Sequence, residues 1–385
     1  MEPLRLADGS RHRSELADLA LELGGKSAGL RRALPAPIAQ ALARMVRAMN
    51  CYYSNLIEGH DTHPIDIERA LQGDYSKDRG KRDLQLEAKA HIAAQEWIDE
   101  GGLASPPASV AAIRSIHERF CGSLPDDLLW VTDPATGERL KVVPGELRRR
   151  DVAVGNHRAV SPGALERFLE RFEAGYADLG PSESMICLAA AHHRLLWIHP
   201  FLDGNGRVAR LMSHAIVSRA VDTGSLWSIA RGLARNVTEY KKLLAECDLP
   251  RRNDLDGRGA LSEEALAEFS RFFLRLCIDQ VEFMERLIEP AQLRSRILAW
   301  AQAEADAGAL PAKSARVLDA LLYRGELPRA EVGSILGASE RHARRVVAAL
   351  VERRVITSDN VRAPLTLHFP AALADRWMPG LFPPA

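Results

Sequence analysis

A mainly α-helical fold is expected from three observations. Apolar residues recur at three- and four-residue spacing in long windows, as in Ile113, Ile116 and Phe120, or Leu266, Phe269, Phe273, Leu276 and Val281. Alternating β-branched stretches are scarce and confined to Leu128–Val154 and Ile356–Phe369. With 46% hydrophobic residues in a chain of 385, there is also enough apolar material to bury a sizeable core.

Composition narrows the function classes. The 51 Lys and Arg residues balance 51 Asp and Glu residues, so no global field favours nucleic acid or an acidic membrane. Any basic surface must be local. Cys51, Cys121, Cys187, Cys247 and Cys277 show no CxxC spacing and sit mostly in apolar helical stretches. They are expected as reduced core residues of a cytoplasmic protein. The opening residues are polar and lack an apolar signal core, and no apolar run is long enough to span a membrane.

Three regions follow in order. Residues 1–110 form a helical N-terminal region whose first 15 or so residues are expected to be disordered. Within it, Ser54 and Glu58 lie four apart on one helix face, and Gly59 is placed to end that helix. A glutamate so near a helix C-terminus opposes the macrodipole and calls for a cation nearby. Residues 111–290 form the core, with two short extended pieces at 142–148 and 152–155. Glu289-Pro290 and Gly308–Pro311 break the helical pattern. Residues 291–385 form a linker helix and a small C-terminal domain.

The most informative window runs from His199 to Arg210 between two apolar helical stretches. Gly204 and Gly206 flank Asn205 just before a helix. Glycines there allow backbone amides to turn toward one point, and a helix N-terminus adds partial positive charge, so the loop is a candidate anion hole. Arg207 and Arg210, three apart, are expected to project from nearly the same face toward a polyphosphate. Asp203 is a candidate Mg²⁺ ligand beside bound phosphates. His199 is a candidate general base for an incoming hydroxyl.

The window HPFLDGNGRVAR resembles the Fic motif, HPFx[D/E]GNGRxxR, at every fixed position. The resemblance extends from about Arg47 to Gln280 and implies a helical bundle that transfers AMP from ATP to a Tyr, Thr or Ser hydroxyl of a target protein. It implies that His199 is the general base and that Asp203 holds Mg²⁺ between the α- and β-phosphates. Gly204, Asn205 and Gly206 would line the anion hole, with Asn205 also fixing the α-phosphate. Arg207 would meet the β-phosphate and Arg210 the γ-phosphate. The phosphorylating branch of the family has lysine where this chain has Gly206, which favours adenylylation.

The window Tyr53–Gly59 resembles the family's N-terminal inhibitory motif, [S/T]xxxE[G/N], on a helix at about 51–59. That implies a salt bridge from Glu58 to Arg210 that blocks the γ-phosphate. Val142–Gly155 resembles the family's flap, a hairpin whose edge aligns the target hydroxyl with His199. Tyr240 is a candidate for the aromatic ring that relatives place near adenine. Asp254–Gly259 starts like a calcium loop but lacks its later ligands, so it reads as a turn. His192-His193, His60 and His63 read as structural.

In the C-terminal region, a helix, a short helix ending at Gly337, and a longer helix capped by Ser339 precede Ile356–Leu367. This resembles a winged helix-turn-helix. Arg341, His342, Arg344, Arg345, Arg353 and Arg354 make the longer helix locally basic, which suits DNA or, equally, a solvated dimerisation surface. Three readings of the whole chain result. The first is a self-inhibited protein adenylyltransferase. The second is a deAMPylase at the same site. The third is a DNA-binding regulator whose Fic part senses nucleotide, against which a complete motif with His199 argues.

Overall fold

The computed structural model describes residues 1–133 and 136–383. The chain begins with α1 (Arg13–Arg32), α2 (Ala36–Ile57), α3 (Pro64–Leu71), α4 (Arg79–Asp99) and α5 (Val110–Cys121). Two antiparallel hairpins follow: β1 (Trp130–Thr132) with β2 (Arg139–Lys141), and β3 (Ala153–Val154) with β4 (His157–Arg158). Then come α6 (Leu165–Tyr176), α7 (Pro181–Ile186), α8 (Leu188–Ile198), α9 (Asn205–Ala220), α10 (Ile229–Arg235), α11 (Val237–Glu246) and the long α12 (Glu263–Leu287). The C-terminal part holds α13 (Pro290–Asp306), α14 (Ser314–Arg324), β5 (Glu326–Leu327), α15 (Val332–Leu336), α16 (Glu340–Glu352), β6 (Ile356–Thr357), β7 (Leu365–Leu367) and α17 (Ala374–Trp377). Its three strands form an antiparallel sheet in the order β5-β7-β6.

Local chemistry sets the element ends. Ser109 caps α5, Ser262 caps α12 and Ser339 caps α16, each accepting a first-turn amide. Pro290 opens α13 at the break read from sequence, with the Glu289 carboxylate on the amides of Ala291 and Gln292. The Asp254–Gly259 segment is a turn whose buried Asp256 accepts from Arg252, Ser262 and Glu264.

The helices α8 and α9 form the centre. The helix α8 is apolar on nearly every side and packs against α9, α12 and α6, while α9 is wrapped by α2, α4, α5, α7 and α10. All five cysteines are buried and free. No helix among the described residues is long and apolar enough to cross a membrane.

Two expectations fail here. The opening residues are ordered: Leu4 and Leu6 are buried, the Arg194 guanidinium donates to the Pro3 carbonyl at 2.8 Å, and the Leu261 amide donates to the Glu2 carbonyl at 2.8 Å. A buried arginine in α8 needs acceptors, and this segment supplies them. The segment Val142–Arg148 is a turn rather than a strand. The hairpins lie to either side of it, because Pro144 and Gly145 (φ 76°) interrupt the ladder.

Candidate active site

The site is built at the turn from α8 into α9. His199 ends α8 in the left-handed conformation (φ 52°, ψ 64°), and Gly204 opens α9 in the same region (φ 78°). A non-glycine residue held there costs about 1 kcal/mol, so its surroundings must enforce it. The chief enforcer is Arg148, which is 3% exposed. Its Nε donates to the His199 carbonyl at 2.7 Å, and its backbone amide donates to the Pro200 carbonyl at 2.9 Å. The rest of the guanidinium donates to the carbonyls of Arg150, Val160 and Ile198. One side chain thus joins the segment between the hairpins to the backbone of His199.

The loop is closed from within by Asn205. Its Oδ1 accepts from the Phe201 amide at 2.9 Å, and its Nδ2 donates to the Phe201 carbonyl at 2.8 Å. The carboxamide thus shapes the loop from within. Phe201 stacks on His117 with centroids 3.8 Å apart and planes 4° apart. The His117 Nδ1 accepts the Gly145 amide at 2.9 Å, tying the turn to α5. Burial lowers the pKa of His199 to about 4, so near neutral pH its imidazole is uncharged and able to accept a proton.

The first-turn amides of α9 have no intrahelical acceptor. A carboxylate is already there. A Cβ added at Gly206 would stand 2.2 Å from Glu58 Oε1 and 3.2 Å from Arg210 Nη1. Glu58 Oε1 lies 2.5 Å from Arg210 Nη2, while Arg210 also donates through Nε to Ser54 Oγ at 2.8 Å and through Nη2 to the Ser54 carbonyl at 3.1 Å. Glu58 is the residue after the last turn of α2, which Gly59 (φ 87°) ends with the Gly59 amide on Leu56 and the His60 amide on Asn55. Burial acts to raise the Glu58 pKa, but the charge and hydrogen bonds of Arg210 outweigh it and hold the group below its ordinary range. The cation that the sequence demanded for Glu58 is thus Arg210, reinforced by the N-terminus of α9.

The two motif arginines do not share a target. Arg207 turns away from Arg210 and is 7% exposed. It pairs with Glu87 of α4, lies over the Phe120 ring at 4.9 Å from the centroid, and reaches Asp203 at 3.5 Å. Glu87 also meets His60 Nδ1 at 2.8 Å. Arg207 is therefore engaged behind the loop rather than offered to a β-phosphate. Asp203 remains exposed at the rim.

Tyr240 is also corrected. It is 2% exposed, and its hydroxyl meets His192 Nε2 at 2.8 Å while its ring packs near Phe269. A ring sunk behind α8 presents no face to a base. His192 and His193 are likewise satisfied, by Ser213 and Tyr240, and by Leu244 and Asp248. The second hairpin is anchored at His157, whose ring lies 3.2 Å from Asp248 Oδ2 and 2.8 Å from the Trp197 carbonyl.

Sequence reasoning missed Arg148, Glu87 and His117. Arg148 is one of three consecutive arginines, and the pattern alone does not say which turns inward. Glu87 and His117 sit on ordinary helical faces, and their partners arrive from distant segments.

The site is thus a helical core centred on this turn, with a histidine before it and a helix start after it. Residues 107–217 match the family model for the Fic/DOC family. The chain is 29% identical over 171 residues to a protein adenylyltransferase Fic from Drosophila erecta, covering 44% of this chain and 32% of that protein. It is 30% identical over 172 residues to the same-named protein from Drosophila ananassae, covering 44% and 31%. The match thus spans about a third of the length of these curated relatives. The fold is also similar to that of a Fic family protein from Desulfovibrio desulfuricans G20, with a TM-score of 0.55, 16% identity, and 94% of this chain and 98% of that chain covered.

Proposed function

We propose that this protein moves AMP from ATP to a Tyr, Thr or Ser hydroxyl of a target protein and that Glu58 holds it largely off. The observation that carries the reading is the Glu58 carboxylate seated against Gly206 and Arg210, where the polyphosphate would lie. An anion site that binds the chain's own carboxylate is suited to the anions of a nucleotide.

In the proposed reaction the target oxygen attacks the α-phosphorus of ATP. The bond from that phosphorus to the bridging oxygen breaks, pyrophosphate leaves, and the hydroxyl proton passes to His199. The first-turn amides of α9 stabilise the charge on the phosphoryl oxygens, and Arg210, once free of Glu58, meets the terminal phosphate. Arg148 and Asn205 hold the turn so that these groups keep their geometry. The named adenylyltransferase relatives support ATP as the substrate. Asp203, exposed at the rim, would hold Mg²⁺ beside the phosphates. Bound there, the ion would offset phosphate charge. The exposed β3–β4 hairpin, with Val154 at its edge, is suited to aligning a target strand.

The test is incubation of the Glu58→Gly protein with ATP labelled at the α- or the γ-phosphate. Label entering protein only from the α-phosphate is expected. Entry only from the γ-phosphate overturns adenylylation, and hydrolytic release of AMP from a pre-modified protein by the wild type, lost in Glu58→Gly, would favour the deAMPylase reading instead.

We further propose that the C-terminal unit is a winged helix-turn-helix that contacts DNA through Arg341 and Arg345 of α16. The exposure of both side chains, and the absence of an acidic partner for either among the described residues, support this. Arg344 pairs with Glu340 and Arg353 with Glu304, so they add less than the sequence suggested. A duplex shift at low salt that weakens with salt and is lost in Arg341→Ala/Arg345→Ala is expected. No shift at low salt overturns it.

A further inference from the structure

We propose that the segment Met378–Phe382 is a strap that holds the inhibitory turn of α2 in place. The inference rests on the self-inhibited reading above and adds what keeps the brake seated.

The last turns of α2 are gripped from two sides. On the inner side Arg210 takes Ser54 and Glu58. On another side, the residues immediately before Ser54 meet the end of the chain. The Tyr53 hydroxyl donates to the Leu381 carbonyl at 3.1 Å, and the Tyr52 ring meets Phe382 edge-on at 5.8 Å. Tyr52 and Tyr53 are themselves in edge contact at 4.9 Å. These contacts are dry: Tyr53 is 1% exposed, and Met378 and Leu381 are fully covered.

The strap is also held by helices other than α2. The Arg231 guanidinium of α10 donates to the Gly380 carbonyl at 2.9 Å, and Arg296 of α13 donates to the Trp377 carbonyl at 2.8 Å. Trp377 packs edge-on against Trp300 of α13 at 5.2 Å. A little upstream, the Ala371 amide donates to Glu68 of α3 at 2.8 Å. The C-terminal part therefore reaches back to the helix that carries Ser54 and Glu58, and to the helix that follows it.

For Arg210 to meet a phosphate, the Glu58 carboxylate must leave the space over Gly206. The turn that carries it must shift or fray. At its far end the turn is closed by the Gly59 amide on Leu56 and the His60 amide on Asn55. Beyond Arg210 and the packing of buried Asn55 and Ile57, the contacts of Tyr52 and Tyr53 with the strap oppose the shift. Loosening the strap should thus release the brake while the catalytic turn stays intact.

The experiment compares auto-modification by ATP in the full chain for wild type, Tyr53→Phe, Phe382→Ala, Glu58→Gly, and each strap variant combined with Glu58→Gly. Tyr53→Phe is expected to raise labelling about fivefold, the effect of one buried hydrogen bond. Phe382→Ala should raise it about tenfold, from the lost aromatic contact. Neither should add to Glu58→Gly, because the brake is already gone. Amide hydrogen exchange at 54–60 should quicken in both strap variants. If Glu58→Gly is labelled while both strap variants stay at the wild-type level with unchanged exchange, the strap is refuted. If the strap variants gain equally in the Glu58→Gly background, the strap does not act through Glu58 and the proposal is refuted. If Glu58→Gly is itself unlabelled, the exchange measurement still decides the strap, and the transferase reading is what fails.

Discussion

Glu58 and Arg210 lie 152 residues apart in the chain and meet at 2.5 Å, with the carboxylate resting against Gly206 at the start of α9. The contact places the carboxylate of the residue that follows α2 on the N-terminal turn of α9. Any polyphosphate aimed at Arg210 must displace it.

The pH dependence of this contact follows from its direction. The Glu58 pKa is held below its ordinary value of 4.5. A carboxyl depressed on folding stabilises the pair above that ordinary value, and the stabilisation is lost as pH falls through the folded value. Between about pH 6 and 9 the Glu58 carboxylate stays ionised. The ratio of Glu58→Gly to wild-type labelling should therefore be flat over that range. A ratio that falls steadily across it would show that another group controls the brake.

Arg148 is a positioning residue for His199. Arg148→Ala removes the donors that hold the left-handed turn and leaves buried carbonyls without partners. Stability is expected to fall by about 3 kcal/mol in denaturant unfolding. In the Glu58→Gly background kcat should drop about 100-fold while KM for ATP changes little. Arg148→Lys, which keeps the charge but not the fork, should restore part of kcat. Equal loss in kcat and in nucleotide binding would point to a general collapse of the site.

Glu87 compensates the buried charge of Arg207. Glu87→Gln leaves that guanidinium without an anion, at a cost of about 3 kcal/mol. Thermal unfolding should show a lowered Tm. An unchanged Tm would mean that Arg207 finds its compensation elsewhere, with Asp203 the nearest alternative.

Tyr240→Phe separates a packing role from a nucleotide-binding one. The loss of the His192 bond should cost about 1 kcal/mol in denaturant unfolding and leave KM for ATP unaltered. A several-fold rise in KM would return Tyr240 to the nucleotide site.

The sequence made legible what is encoded in short windows. The helical class came from spacing within single helices, and the α8–α9 turn from residues adjacent in the chain. Glu58 could be matched to Arg210 only through a resemblance, since no local pattern links positions so far apart. Arg148, Glu87 and the strap were not legible for the same reason. Each acts through a long-range contact with a backbone carbonyl or a buried partner, and the identity of the residue says nothing of where that partner lies. The expected convergence of Arg207 and Arg210 was a fair deduction from spacing, but the carboxylates of α2 and α4 draw the two guanidiniums apart.

The most direct measurement is the initial rate of α-labelled AMP incorporation in wild type, Glu58→Gly and Glu58→Gly/Arg210→Ala. Freeing Arg210 should raise the rate about 10- to 100-fold, the usual span of a coupling between sites. Removing Arg210 as well should return the rate to the wild-type level or below. A double variant as fast as Glu58→Gly alone would contradict the claim that Glu58 acts by withholding Arg210 from the nucleotide.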